Sequence, residues 1–331
     1  MSSIFDLIEE FEKEENEKNL LSSFNKQTFL NGFYAGQYSI LYDMNKDNVS
    51  YNGWFFRNES IQIAISEGLN PQMEALSLAL SETTLSNTNK NTRSAIDIYN
   101  SLKMEFQSIN KKETLHIDYM NRLFKNMFQY TIGGNIQSKD FESQSKIFIE
   151  LYEKSKEKED GVSIFLRDLL NNRYKENFII PQRLGRIMAI RLLKEVNPIM
   201  RPIPIGQTLR ISNKKYQIAL DSNTEVWNNF LFESINENAQ YYIKKQREIR
   251  NLRSKFNLID DSKRNTSKIP QIIDYLFEFP IFDNNKLKND FNLTSPGVIK
   301  ILDKLTHKGI IRTIGNKKRN SKYICDDILR V

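Results

Sequence analysis

The chain is poor in the residues that build disulfides and metal sites. It has one cysteine, Cys325, and two histidines, His116 and His307, in 331 residues. One thiol excludes an internal disulfide and a thiolate cluster, and two distant imidazoles leave little for a histidine-based site, so no metal is expected. Cys325 sits in an apolar stretch and reads as a small buried side chain. No run of about 18 apolar residues occurs, so no helix is expected to cross a membrane. The chain starts MSSIFDLIEEFEKEE, acidic where a secretory leader would be basic, and no leader is expected. These absences predict a soluble, cytoplasmic protein without membrane partners. Alternating strand patterns are almost missing before residue 300, which makes the class mainly α.

What is present is helical periodicity in blocks. Residues 4–24 carry Ile4, Phe5, Leu7, Ile8 and Phe11 on one side and glutamates on the other. Residues 27–65 are rich in aromatics; helix is expected to about Tyr42, then a loop marked by the turn signal Asn52-Gly53. Further helices are expected at 71–85, 93–104, 114–128 and 143–158, with a polar break at 86–92 and a hairpin or loop at 129–139. Residues 163–174 and 184–196 read as a helix pair around the short loop 175–183. Residues 216–221 and 225–255 are again helical, and 260–267 is a charged, polar linker. The predicted organisation is an N-terminal helical extension (1–60), a helical domain (61–259), the linker, and a C-terminal domain (268–331).

The net charge of +7 is not spread along the chain. Residues 263–331 hold 14 Lys and Arg against 7 Asp and Glu, and the other 34 basic and 34 acidic residues cancel. The same segment has the order of a winged helix–turn–helix. Residues 269–279 and 283–291 read as two helices. A tight turn, Leu293-Thr294-Ser295-Pro296, follows, with Thr294 or Ser295 as N-cap and Pro296 in the first helical turn. Val298, Ile301, Leu302 and Leu305 form the apolar stripe of a third helix, which Gly309 stops. Residues 310–314 and 322–325 can pair as strands around the basic tip 315–320. This arrangement predicts duplex DNA as partner, with the third helix in the major groove and the wing on the backbone. The candidate phosphate contacts are Lys300, Lys304, Lys308, Lys317, Lys318, Arg319 and Lys322, and Thr294, Ser295 and Lys300 are the candidates near base edges.

The helical part resembles the Fic family (Fido fold), which is often fused to a C-terminal winged helix. Leu184-Gly185-Arg186-Ile187 followed by Leu192-Leu193 resembles the end of the signature HxFx(D/E)GNGRxxR and its following helix. Residues 202–220 resemble the segment after it. Residues 225–249, with Trp227 and Ala239, are similar to the terminal helix; residues 70–85 are similar to the N-terminal EA…E helix. Lys317-Lys318-Arg319-Asn320 with Tyr323 looks like the KRN..Y ending of the fused winged helices. The likeness covers about residues 60–331 and implies a Fido-like helical body followed by the winged helix–turn–helix.

The departures from the signature bear on chemistry. Anchored on Arg183 and Arg186, the motif runs back to Lys175, which replaces its histidine; Asn177 replaces its Phe, Ile179 its metal-binding acid, and Ile180-Pro181-Gln182 its GNG cradle. A cradle needs free backbone N–H groups and room for phosphate, and proline has no N–H. Without the histidine no general base titrates near neutrality, and without the acid Mg²⁺ loses a hard ligand. Glu82 aligns with the family's inhibitory glutamate, but Leu78 stands at its Ser/Thr position. Arg183 and Arg186 are either surface or ion-paired arginines at a helix start, or residual phosphate contacts. No catalytic group is therefore assigned. The expected function is a DNA-binding regulator with an eroded Fic-like body acting as scaffold, sensor or dimerisation module. The alternative is a protein nucleotidyltransferase that moves AMP from ATP to a hydroxyl with a rebuilt site. No cofactor is expected, save that ATP or another nucleotide could be held without turnover; a homodimer is left open.

Overall fold

The computed structural model describes residues 49–82, 88–131, 138–196, 205–210, 213–258, 268–314 and 321–331. The expected amphipathic helix at 4–24, the linker 260–267 and the basic tip 315–320 lie outside them, as does most of 129–139. The fold is mainly helical.

The first described helix corrects the expectation of a loop. α1, Val49–Ser66, runs straight through Asn52-Gly53. Its Tyr51, Trp54, Phe55 and Phe56 are all buried, because the helix lies at the centre of the core. Gly53 does not turn the chain. A Cβ there would sit 2.5 Å from Glu278 Cα, so the glycine lets another helix backbone cross at close range.

Around α1 stand α2 (Met73–Ser81), α3 (Lys90–Asn110), α4 (Ile117–Met127), α5 (Ser138–Lys156), α6 (Gly161–Leu170), α7 (Pro181–Val196), α8 (Lys214–Asp221) and α9 (Thr224–Asn257). α3 starts inside the expected polar break because Asn89 caps it, accepting from Thr92 N–H at 2.8 Å. α6 and α7 pack against each other, and a Cβ on Gly185 would lie only 3.0 Å from Leu169 Cβ. α9 has 34 residues, about 50 Å of helix, and buries Trp227, Tyr242 and Phe256 along its length.

The C-terminal part contains α10 (Ile269–Glu278), β1 (Ile281–Asp283), α11 (Asn284–Phe291), α12 (Ser295–His307), β2 (Arg312–Ile314), β3 (Lys322–Ile324) and α13 (Asp326–Arg330). The strands form an antiparallel sheet in the order β1-β3-β2, with Ile324 opposite both Ile281 and Arg312. β1 was not expected from sequence: three residues cannot display an alternation. Asp283 then caps α11 through Lys286 N–H at 2.8 Å. Thr294 caps α12, accepting from Gly297 N–H at 3.3 Å, and Gly309 with φ +70° follows its C-terminus.

This part is docked on the helical body. α10 packs on α1 and α9, β1 on α2, and α13 on α9. The Arg57 guanidinium donates to the Glu278 carbonyl at 2.5 Å, Lys103 pairs with the Glu278 carboxylate at 3.0 Å, and Arg253 with Asp274 at 2.9 Å. Burial lowers the Arg57 pKa to about 10, an effect that Tyr99 and Glu278 oppose.

Candidate functional site

α12 shows two faces. Val298, Leu302 and Leu305 point into the core. Ser295, Ile299, Lys300, Asp303, Thr306, His307 and Lys308 are exposed, and Lys304 is half-buried. α10, β1, β3 and α13 meet the body, and among the described residues no helix of the body packs closely on this outer face. Thr294, Ser295 and Lys300, the three residues expected near base edges, are all exposed, and the Thr294 hydroxyl oxygen also accepts the cap bond. Lys322 is engaged by Glu82 of the body; a phosphate would have to displace that carboxylate. Lys317, Lys318 and Arg319 lie outside the described residues. On β2, exposed Arg312 pairs with Asp326 at 2.9 Å and holds its carboxyl below the usual range.

The segment aligned with the Fic signature has a different character. Lys175 and Asn177 are exposed, and Ile179 is 39% exposed, its N–H donating to Gln144 Oε1 at 3.1 Å. Pro181 is the first residue of α7. Arg183 is buried and engages protein at all three nitrogens. Its Nε donates to Glu67 Oε1 at 2.9 Å, Nη1 to the Met127 carbonyl at 3.1 Å, and Nη2 to Glu67 Oε2 and Ser94 Oγ, both at 2.5 Å. It is the ion-paired arginine of the two alternatives raised by the sequence. Arg186 is buried too, but its Nε and Nη1 have no hydrogen-bond partner. It lies near Tyr216, whose pKa burial raises and the arginine charge pulls back. Lys175, Ile179, Arg183 and Arg186 thus share a stretch of chain without converging on a common opening. Among the described residues no three His, Cys, Asp or Glu side chains gather as metal ligands.

Two features had no signal in the sequence. A cleft of about 320 Å³ lies among Tyr152, Lys156, Arg191, Lys194 and Glu195. Arg191 at its wall is held by Glu105 at 2.5 Å, Ser108 at 2.8 Å and the Glu113 carbonyl at 2.8 Å. Between α1 and α9, Glu59 is buried against the Tyr242 hydroxyl and the Gly206 N–H, with Arg210 nearby. Burial pushes its carboxyl up to about 7, against the pull of these three groups. A glutamate in a helix ordinarily reads as solvated, and no spacing rule distinguishes this one.

No protein-family model and no curated protein matches the chain.

Proposed function

We propose that residues 268–331 are a winged helix–turn–helix that binds duplex DNA, and that the helical body is a Fic-like scaffold without transfer chemistry. The observation that carries this reading is the outer face of α12. It is exposed and largely polar, and among the described residues no helix of the body packs closely on it; it lies within residues 263–331, which hold the chain's whole excess of positive charge. A helix of 13 residues fits the major groove, and lysines beside it neutralise phosphates. In this reading Thr294, Ser295 and Lys300 approach base edges. Lys304, Lys308, Lys322 and the tip residues Lys317, Lys318 and Arg319 serve the backbone.

The same geometry disfavours nucleotidyl transfer. Arg183 has its donors on protein, Lys175 and Ile179 are dispersed on the surface, and Pro181 occupies the start of α7. Arg186 keeps unengaged N–H groups and is the one remaining candidate for holding a phosphate without turnover. Two assays test the reading. Fluorescence anisotropy with a labelled 30-bp duplex should give saturable, salt-sensitive binding by the full chain. Incubation with labelled ATP, Mg²⁺ and lysate should leave all proteins unlabelled; labelling abolished by Arg183→Ala would install the enzyme reading instead.

A further inference from the structure

We infer that the helical body restrains DNA binding in cis: Glu82, at the C-terminal end of α2, holds the wing lysine Lys322 in the place of a DNA phosphate. The inference rests on the DNA-binding reading above and adds its regulation.

Backbone packing builds the contact. α2 packs on β1, and β1 pairs with β3, whose first residue is Lys322. Across that ladder Lys322 stands opposite Asp283, but the Asp283 carboxylate caps α11. Glu82 reaches the lysine from the body instead, and both side chains are half-exposed. Arg312 on β2 is paired with Ile324, which stands two places after Lys322. Both cations therefore belong to one face of the sheet. Asp326 and, more weakly, Glu74 in the first turn of α2 raise the Arg312 pKa. The carboxylates at the two ends of α2 thus act on the two cations of that face.

Glu82 is badly placed for α2 alone. It follows the last residue of the helix as its C-cap. The carbonyl groups at a helix C-terminus carry partial negative charge, which favours a cation there and disfavours a carboxylate. The Lys322 ammonium offsets both negative groups. A residue that breaks a local rule and is compensated by a distant partner is the kind expected where function is built.

A DNA phosphate needs the same ammonium. To reach it, a duplex must displace the carboxylate. It also approaches the wing against the like charge of Glu82 and Glu74, within a Debye length of both. A carboxylate that merely braced the wing for DNA would act with the opposite sign, because its loss would weaken binding.

Four full-length proteins decide the sign: wild type, Glu82→Gln, Lys322→Gln and the double variant, each titrated by anisotropy on one labelled duplex at low and at high salt. Glutamine removes each charge and keeps a polar side chain. Glu82→Gln should bind about two- to five-fold more tightly at low salt, the range of an exposed ion pair, and the gain should shrink at high salt. Lys322→Gln should bind more weakly than wild type, and adding Glu82→Gln to it should bring a smaller gain, since the lysine to be released is gone. If Glu82→Gln leaves affinity unchanged or weakens it, the inference is wrong while DNA binding stands. An equal gain in both backgrounds would also overturn it, by placing the effect in the general field of the carboxylate and not in its hold on Lys322. If none of the four binds duplex, the inference falls together with the reading it rests on.

Discussion

Arg183 and Arg186 stand one turn apart at the start of α7 and are both buried, yet only one is satisfied. Removing one partner of a buried ion pair strands the other charge, which costs about 3–5 kcal/mol. Arg183→Ala or Glu67→Ala should therefore destabilise the protein by that order in urea unfolding; a loss below about 1 kcal/mol would show that the pair is not buried as described. The choice between ion pairing and phosphate contact was open in the sequence because Glu67 lies 116 positions from Arg183, beyond any local rule. Glu59 supplies a pH test. Its folded pKa, about 7, lies above the ordinary carboxylate value. Between roughly pH 5 and 7 the folded state thus holds a proton that the unfolded state has released. Stability should fall as pH rises through that window and level off above it, by up to about 3 kcal/mol from this group. Glu59→Gln should flatten the slope in thermal melts taken from pH 5 to 8; an unchanged slope would place the cause elsewhere.

Among the elements, those with a clear 3.6 period and a cap were legible. Of the expected stripe Val298, Leu302 and Leu305 are buried and Ile301 is half-buried, and Thr294 rather than Ser295 proves to be the cap. Thr294→Ala should cost about 1 kcal/mol of stability, read from the denaturant midpoint. α1 was illegible for a physical reason. Asn52-Gly53 has the composition of a turn, but the glycine is required by contact with α10, and a tertiary approach leaves no mark on local pattern. Gly53→Ala would favour an isolated helix by about 1 kcal/mol. Here it must push against the Glu278 backbone, and overpacking of this kind costs about 1–3 kcal/mol. The variant should show a lower midpoint and faster proteolysis at α10. A stabilised Gly53→Ala would contradict the tight crossing of α1 and α10.

Over the whole molecule, composition shows where the charge sits, and the fold shows how that segment is held. The C-terminal part is fixed to the body by Arg57, Lys103 and Arg253, all through α10. The body also reaches the candidate phosphate contact Lys322 through Glu82. Glu82→Gln should release that lysine and tighten DNA binding about two- to five-fold at low salt, within the range of an exposed ion pair, and less at high salt. None of this was visible in sequence, because Glu82 and Lys322 are 240 positions apart.

The most direct test of the central claim is the salt dependence of duplex binding by the full chain, set against the triple variant Lys317→Ala, Lys318→Ala, Arg319→Ala. A protein that neutralises phosphates releases counterions, and the slope of log affinity against log salt changes by about 0.9 for each contact. Wild type should bind with a steep negative slope. The triple variant should bind all sequences more weakly, with a slope shallower by up to about three. Equal affinity and equal slope for the two proteins, or binding indifferent to salt, would contradict the assignment of residues 268–331 as the DNA-binding part.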